Sequence, residues 1–119
     1  MEEHPSAPGT PLTRTTAIVP ARNEAACIAI VVQGLLAQRD EYGQRLLHEV
    51  VVADNGSTDD TAAIARRCGA RVIAVAEPGY GRACWEAVQV SNGEVLIFVD
   101  GDGAADPQEA GLLIAEIAR

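Results

Sequence analysis

Apolar residues along this chain follow two alternating patterns: short unbroken runs rich in Val and Ile, and longer stretches in which they recur every three or four positions. The first pattern predicts strands buried on both faces, and the second predicts helices with one covered stripe. The plainest run is Val95 to Val99, which follows the turn pair Asn92-Gly93 and stops at Asp100-Gly101-Asp102-Gly103. Thr15 to Val19 predicts a first strand, ended by Pro20, which has no N–H to give a central ladder. Glu49 to Ala53 predicts a second strand, closing on Asp54-Asn55-Gly56, and Arg71 to Val75 a third.

Helices fill the intervals. Ile28, Val31, Val32 and Leu35 share one face of a helix that Asn23 is placed to cap and that runs to about Gln38. Ser57-Thr58-Asp59-Asp60 has capping-box spacing ahead of Ile64, Ala65 and Cys68, and Gly69 is the residue expected past that helix's end. Gly79-Tyr80-Gly81-Arg82 leads into a third helix with Cys84, Ala87, Val88 and Ser91 on one side. Asp106-Pro107-Gln108-Glu109 opens a fourth, striped by Ala110, Leu113, Ile114 and Ile117. Strand and helix thus alternate through about four of each, which predicts an α/β fold with a doubly wound parallel sheet. Residues 1–14, with Pro5, Pro8 and Pro11, predict a disordered tail, leaving 15–119 as one domain.

Composition narrows the function. Seventeen acidic residues against nine basic ones give a net charge of −8, which disfavours a nucleic-acid or anionic-membrane partner. Aromatics are only 3%, too few for base-stacking platforms. Every basic side chain among Lys and Arg is Arg. Cys27, Cys68 and Cys84 are scattered and odd in number, reading as reduced core residues and not as a disulfide framework or zinc site. No apolar run approaches the ~20 residues that span a bilayer, and no signal-peptide core opens the chain, so the expected location is cytoplasmic.

Three strand ends carry candidate chemistry: Pro20 to Glu24, Asp54 to Ser57, and Asp100 to Asp106. In a parallel sheet all three reach one edge, where open α/β sheets bind ligands. Asp100 and Asp102, one glycine apart, form either an acidic turn or a pair of hard oxygen ligands for one divalent cation. The first strand is followed by Pro-Ala-Arg-Asn-Glu and not by a glycine fingerprint, which argues against a nicotinamide-binding domain. A nucleotidyltransferase is the less favoured enzyme alternative, because no basic glycine-rich loop follows that strand.

In this order, Pro20-Ala21-Arg22-Asn23-Glu24, Val52-Ala53-Asp54-Asn55-Gly56-Ser57-Thr58-Asp59, Gly79-Tyr80-Gly81-Arg82-Ala83 and Val99-Asp100-Gly101-Asp102-Gly103 with Asp106-Pro107 resemble the N-terminal nucleotide-sugar-binding half of family-2 glycosyltransferases. The likeness runs from Thr16 to about Arg119 and is nearest the polyprenyl-phosphate sugar synthase branch. It implies a GT-A fold with a Rossmann-like sheet, a UDP- or GDP-sugar donor, and Mg2+ or Mn2+. On that likeness Pro20, Ala21 and Glu24 contact the nucleoside, Glu24 at the ribose. Asp54, in the loop with Gly56, bonds the base. Asp102, with Asp100 beside it, holds the metal on the diphosphate. Arg82 is suited to a phosphate or the sugar, or is a solvated arginine at a helix start. Ala104 stands where the family has glutamine, and Asp106 has an N-cap role of its own. The family's acceptor region and general base have no counterpart, so the expectation is a chain that binds a donor, does not transfer alone, and associates with itself or with a missing C-terminal half. The alternative is a non-catalytic nucleotide-binding module.

Overall fold

The computed structural model describes residues 14–101. Along them run β1 (Thr15–Ala21), α1 (Ile28–Leu36), β2 (Glu49–Asp54), α2 (Thr61–Arg67), β3 (Arg71–Ala74), α3 (Tyr80–Val90) and β4 (Val95–Phe98). The strands form one sheet in the order β3-β2-β1-β4, with every neighbouring pair parallel. The chain steps outward from β1 to β3, then crosses back to lay β4 on the other flank of β1. At such a reversal the loops leaving the two adjacent strands go to opposite faces and open a crevice beyond the carboxyl ends.

Alternation along the strands feeds two cores. Ala17, Val19, Val50, Val52 and Ile97 face α1 and α2, where they meet the fully covered Ile28, Val31, Val32 and Leu35. Ile18, Val51, Ala53 and Val75 face α3 through Ala83 and Ala87. The periodicity of α1 therefore identified its buried stripe residue for residue. The expected fourth helix, opened by Asp106, lies outside the described residues.

Several local expectations are corrected. Pro20 does not end β1, which continues to Ala21 with Pro20 opposite Ala53. Backbone groups of a strand alternate sides: Ala21 O accepts from Asn55 N on the β2 side, whereas Ile18 O accepts from Val99 N on the β4 side. The missing N–H of Pro20 therefore faces β4, whose pairing stops at Ile18 opposite Phe98. Proline ends one ladder and leaves the other intact.

Asn23 does not cap α1. Its φ is +54°, and the helix opens four residues later, after Cys27. Asn23 is engaged elsewhere: its side-chain Oδ1 accepts from Thr58 N at 2.8 Å, and its backbone N–H donates to Ser57 Oγ at 2.8 Å. Ser57 is thereby diverted from the expected capping box, and α2 begins at Thr61 after Asp60, which makes no side-chain cap. β4 is also less enclosed than a strand buried on both faces, with Phe98 52% exposed among the described residues.

Candidate functional site

The reversal between β1 and β4 opens a crevice of about 440 Å³. Pro20, Ala21, Arg22 and Glu24 line it from the end of β1, and Asp100 and Gly101 from the end of β4. Asn55 after β2 and Gly79, Tyr80 and Ala83 at the start of α3 complete it.

The β1 wall is held by the loop after β2. Besides the two bonds of Asn23, Glu24 N donates to Thr61 Oγ1 at 2.8 Å and Ala25 N to Asp59 Oδ2 at 3.2 Å. Thr61 is fully buried, and its hydroxyl is satisfied on both counts, since it also donates to Asp59 Oδ1. That hydroxyl bond, ahead of the backbone N–H groups of Thr61 and Ala25, holds the Asp59 carboxyl below its ordinary value.

Asn55 ties down the opposite wall. Its Nδ2 donates to Glu77 O at 2.8 Å and to Val75 O at 3.4 Å, while Oδ1 accepts from Gly79 N at 3.0 Å. The side chain thus fixes the loop between β3 and α3, in which Gly79 takes a φ of +128° open to few other residues. Tyr80 follows, and its hydroxyl donates to Asp100 Oδ1 at 3.0 Å. Loss of water around the phenol, then the hydrogen bond and charge of Asp100, push Tyr80 up to about 12, so it stays a proton donor at physiological pH.

Gly101 brings the end of β4 against β1. A Cβ there would lie 3.1 Å from Ala21 Cβ and 3.2 Å from Pro20 O, so any larger residue would have to push β1 or the end of β4 aside by a few tenths of an ångström next to Asp100.

Four of the candidate residues, Pro20, Ala21, Glu24 and Asp100, are brought together here. Asp54 lies beside Ala21 in the β1–β2 ladder, its Oδ1 accepting from Ser57 N at 3.2 Å, but it does not line the crevice. Gly56 is exposed, with a φ of +79°. Arg82 also stays outside: its Nε donates to Glu86 Oε2 at 2.8 Å, lies 3.4 Å from Glu77 Oε1, and its guanidinium is 5.1 Å from the Trp85 ring centroid. In this state it is the solvated helix-start arginine. Asp102 lies outside the described residues, and among those residues no group of three or more His, Cys, Asp or Glu is gathered as a metal site. Cys27, Cys68 and Cys84 are free thiols, each half-buried. Among the described residues no helix is long and apolar enough to cross a membrane.

Sequence reasoning assigned no role to Asn55, Tyr80 or Arg22, although all three fall within stretches it singled out. Arg22 carried a signal, as a cation within the first strand-end loop; Asn55 and Tyr80 act through partners about twenty residues away, which no local pattern reports.

A family model for glycosyl transferase family 2 matches residues 16–119. This chain belongs to that family. A glycosyltransferase of Mycobacterium tuberculosis is 35% identical over 102 residues, covering 86% of this chain and 43% of that protein. Glucosyl-3-phosphoglycerate synthase of the same organism is 36% identical over 98 residues, covering 75% of this chain and 29% of the synthase. The family-2 chain described here therefore spans less than half the length of these curated relatives. A crystal structure of that synthase with Mn2+, UDP and glucosyl-3-phosphoglycerate superposes with a TM-score of 0.75 at 28% identity, over 89% of this chain and 40% of the other. Another, with Mn2+, UDP-glucose and glycerol 3-phosphate, gives the same TM-score, identity and coverage. The parallel four-stranded sheet with its three helices is thus the Rossmann-like half of a GT-A fold.

Proposed function

We propose that this chain is the donor-binding half of a glycosyltransferase and holds a UDP-sugar, with Mg2+ or Mn2+ on its diphosphate, in the crevice between β1 and β4. The observation carrying this is the placement of Asp100 at the switch-point crevice, across from Pro20, Ala21 and Glu24, in a relative of an enzyme crystallised with UDP and Mn2+.

Asp100 suits a hard cation. Its Oδ1 takes one hydrogen bond from Tyr80, and Oδ2 has no partner among the described residues. Asp102 is the proposed second ligand. A divalent cation on the diphosphate neutralises charge that develops there when the sugar leaves. Pro20, Ala21 and Glu24 form the nucleoside wall, with Glu24 assigned to the ribose. Arg22 adds positive charge to that wall, where a diphosphate needs it in a chain of net charge −8. Asp54 is assigned to the base through Oδ2, since Oδ1 is bonded to Ser57 N, and Gly56 allows the close turn beyond it. The crystallised relative's UDP favours the uracil nucleotide over GDP. Transfer to an acceptor is assigned to a larger protein or assembly that includes this domain, for which self-association is the other route.

A nucleotide panel tests the assignment. UDP, GDP and ADP are titrated calorimetrically in Mn2+ against the wild-type chain and Asp54→Ala. UDP is expected to bind best, and the substitution to weaken it roughly ten- to a hundredfold, the worth of a hydrogen bond to a charged group. Equal affinity for all three nucleotides, unchanged by Asp54→Ala, refutes the base contact.

A further inference from the structure

We infer that Tyr80 is a positioning residue for Asp100, aiming its carboxylate at the divalent cation of a bound nucleoside diphosphate; this rests on the metal-bridged reading above. Tyr80 and Asp100 stand on different elements, at the start of α3 and just past β4, and both line the crevice. The phenol bridges them at 3.0 Å as the hydrogen-bond donor to Asp100 Oδ1, and the Cys84 thiol lies beside both. A carboxylate on a loop beyond a strand end is free to turn about its side-chain torsions. One directional donor on Oδ1 removes much of that freedom and leaves Oδ2 for a cation.

The chemistry of the donor fits this role. A hydroxyl holds a carboxylate without cancelling its charge, whereas a Lys or Arg in the same place would pair with it and compete with the metal. Arg82, two residues on in α3, is bonded to Glu86 and lies beside Glu77, and it does not line the crevice. The phenol is itself held in place from behind. Asn55 bonds Gly79 N, the residue before Tyr80, and through Glu77 O and Val75 O fixes the loop that delivers the ring. A relay therefore runs from the end of β2, through the loop before α3, to the acid after β4.

Tyr80→Phe removes the hydroxyl and keeps the ring. Mn2+ affinity is measured by electron paramagnetic resonance in saturating UDP, alongside calorimetric UDP affinity in Mn2+ and in excess EDTA, and the melting temperature. The expected result is a loss of roughly tenfold in Mn2+ affinity, at the low end for outer-shell partners of metal ligands. Melting temperature and UDP affinity in EDTA should match wild type. Unchanged Mn2+ affinity in Tyr80→Phe, with a metal-dependent wild type, overturns the positioning role and leaves the proposed function standing. Equal losses with and without metal, or a lowered melting temperature, mean the ring is merely structural and also overturn it. A wild type that binds UDP without regard to Mn2+ removes the metal-bridged reading and this inference with it.

Discussion

Asn55→Ala removes the side chain that ties the loop after β2 to the loop between β3 and α3, and its cost can be worked from its bonds. Two are of ordinary length, to Glu77 O at 2.8 Å and from Gly79 N at 3.0 Å; the third, to Val75 O, is long at 3.4 Å. At about 1 kcal/mol for each good bond, and less where the freed backbone regains water, the loss comes to about 1–2 kcal/mol. For a domain of this size that lowers the melting temperature by roughly 5–10 °C. In urea the midpoint should fall by about 1 M with the slope unchanged, because no large surface is newly exposed. Asn55→Asp separates the bonds: it keeps the acceptor for Gly79 N, loses both donors, and sets a negative charge against two carbonyl oxygens. It should be at least as damaging as alanine. Urea unfolding followed by circular dichroism gives both values. If Asn55→Ala is within ~0.3 kcal/mol of wild type, within the ±0.5 kcal/mol typical of surface substitutions, the loop is held by something else and the relay to Tyr80 fails.

Gly101→Ala should cost about 1–3 kcal/mol by overpacking against Ala21 and Pro20, and should weaken UDP by displacing Asp100; wild-type stability and affinity together would show that β4 retreats freely. Asp59 titrates below its ordinary value of 3.8 because Thr61 bonds its ionised form, so it stabilises the fold above that value and the benefit fades as pH falls through the folded-state pKa. Asp59→Asn should therefore be less stable than wild type at pH 7, with the gap closing towards pH 2; a gap that stays constant across the titration contradicts the assignment.

The apolar patterns revealed most of the fold, because buried stripes are written locally. Ile28, Val31, Val32 and Leu35 were readable as one face, and the Val-rich runs as parallel strands. The place of Asp100 at the crevice was readable too, since the residue that ends a buried parallel strand stands at the carboxyl edge of the sheet. What escaped were residues whose side chains act at long range. Asn23 looked like a cap until Ser57 and Thr58 engaged it from 34 and 35 residues away. Pro20 looked like a strand end because sequence does not show which flank its missing N–H faces. Arg82 looked available to a phosphate, and only the helix geometry discloses that Glu86, one turn on, is already bonded to it.

The central claim is that the crevice between β1 and β4 holds a nucleoside diphosphate through a metal. Titrating the 119-residue chain with UDP in Mn2+, and again in excess EDTA, measures it most directly. One saturable site in Mn2+, weakened at least about tenfold by chelation, or roughly 1.4 kcal/mol, is the predicted result. The same affinity in both solutions, or no binding in either, contradicts it.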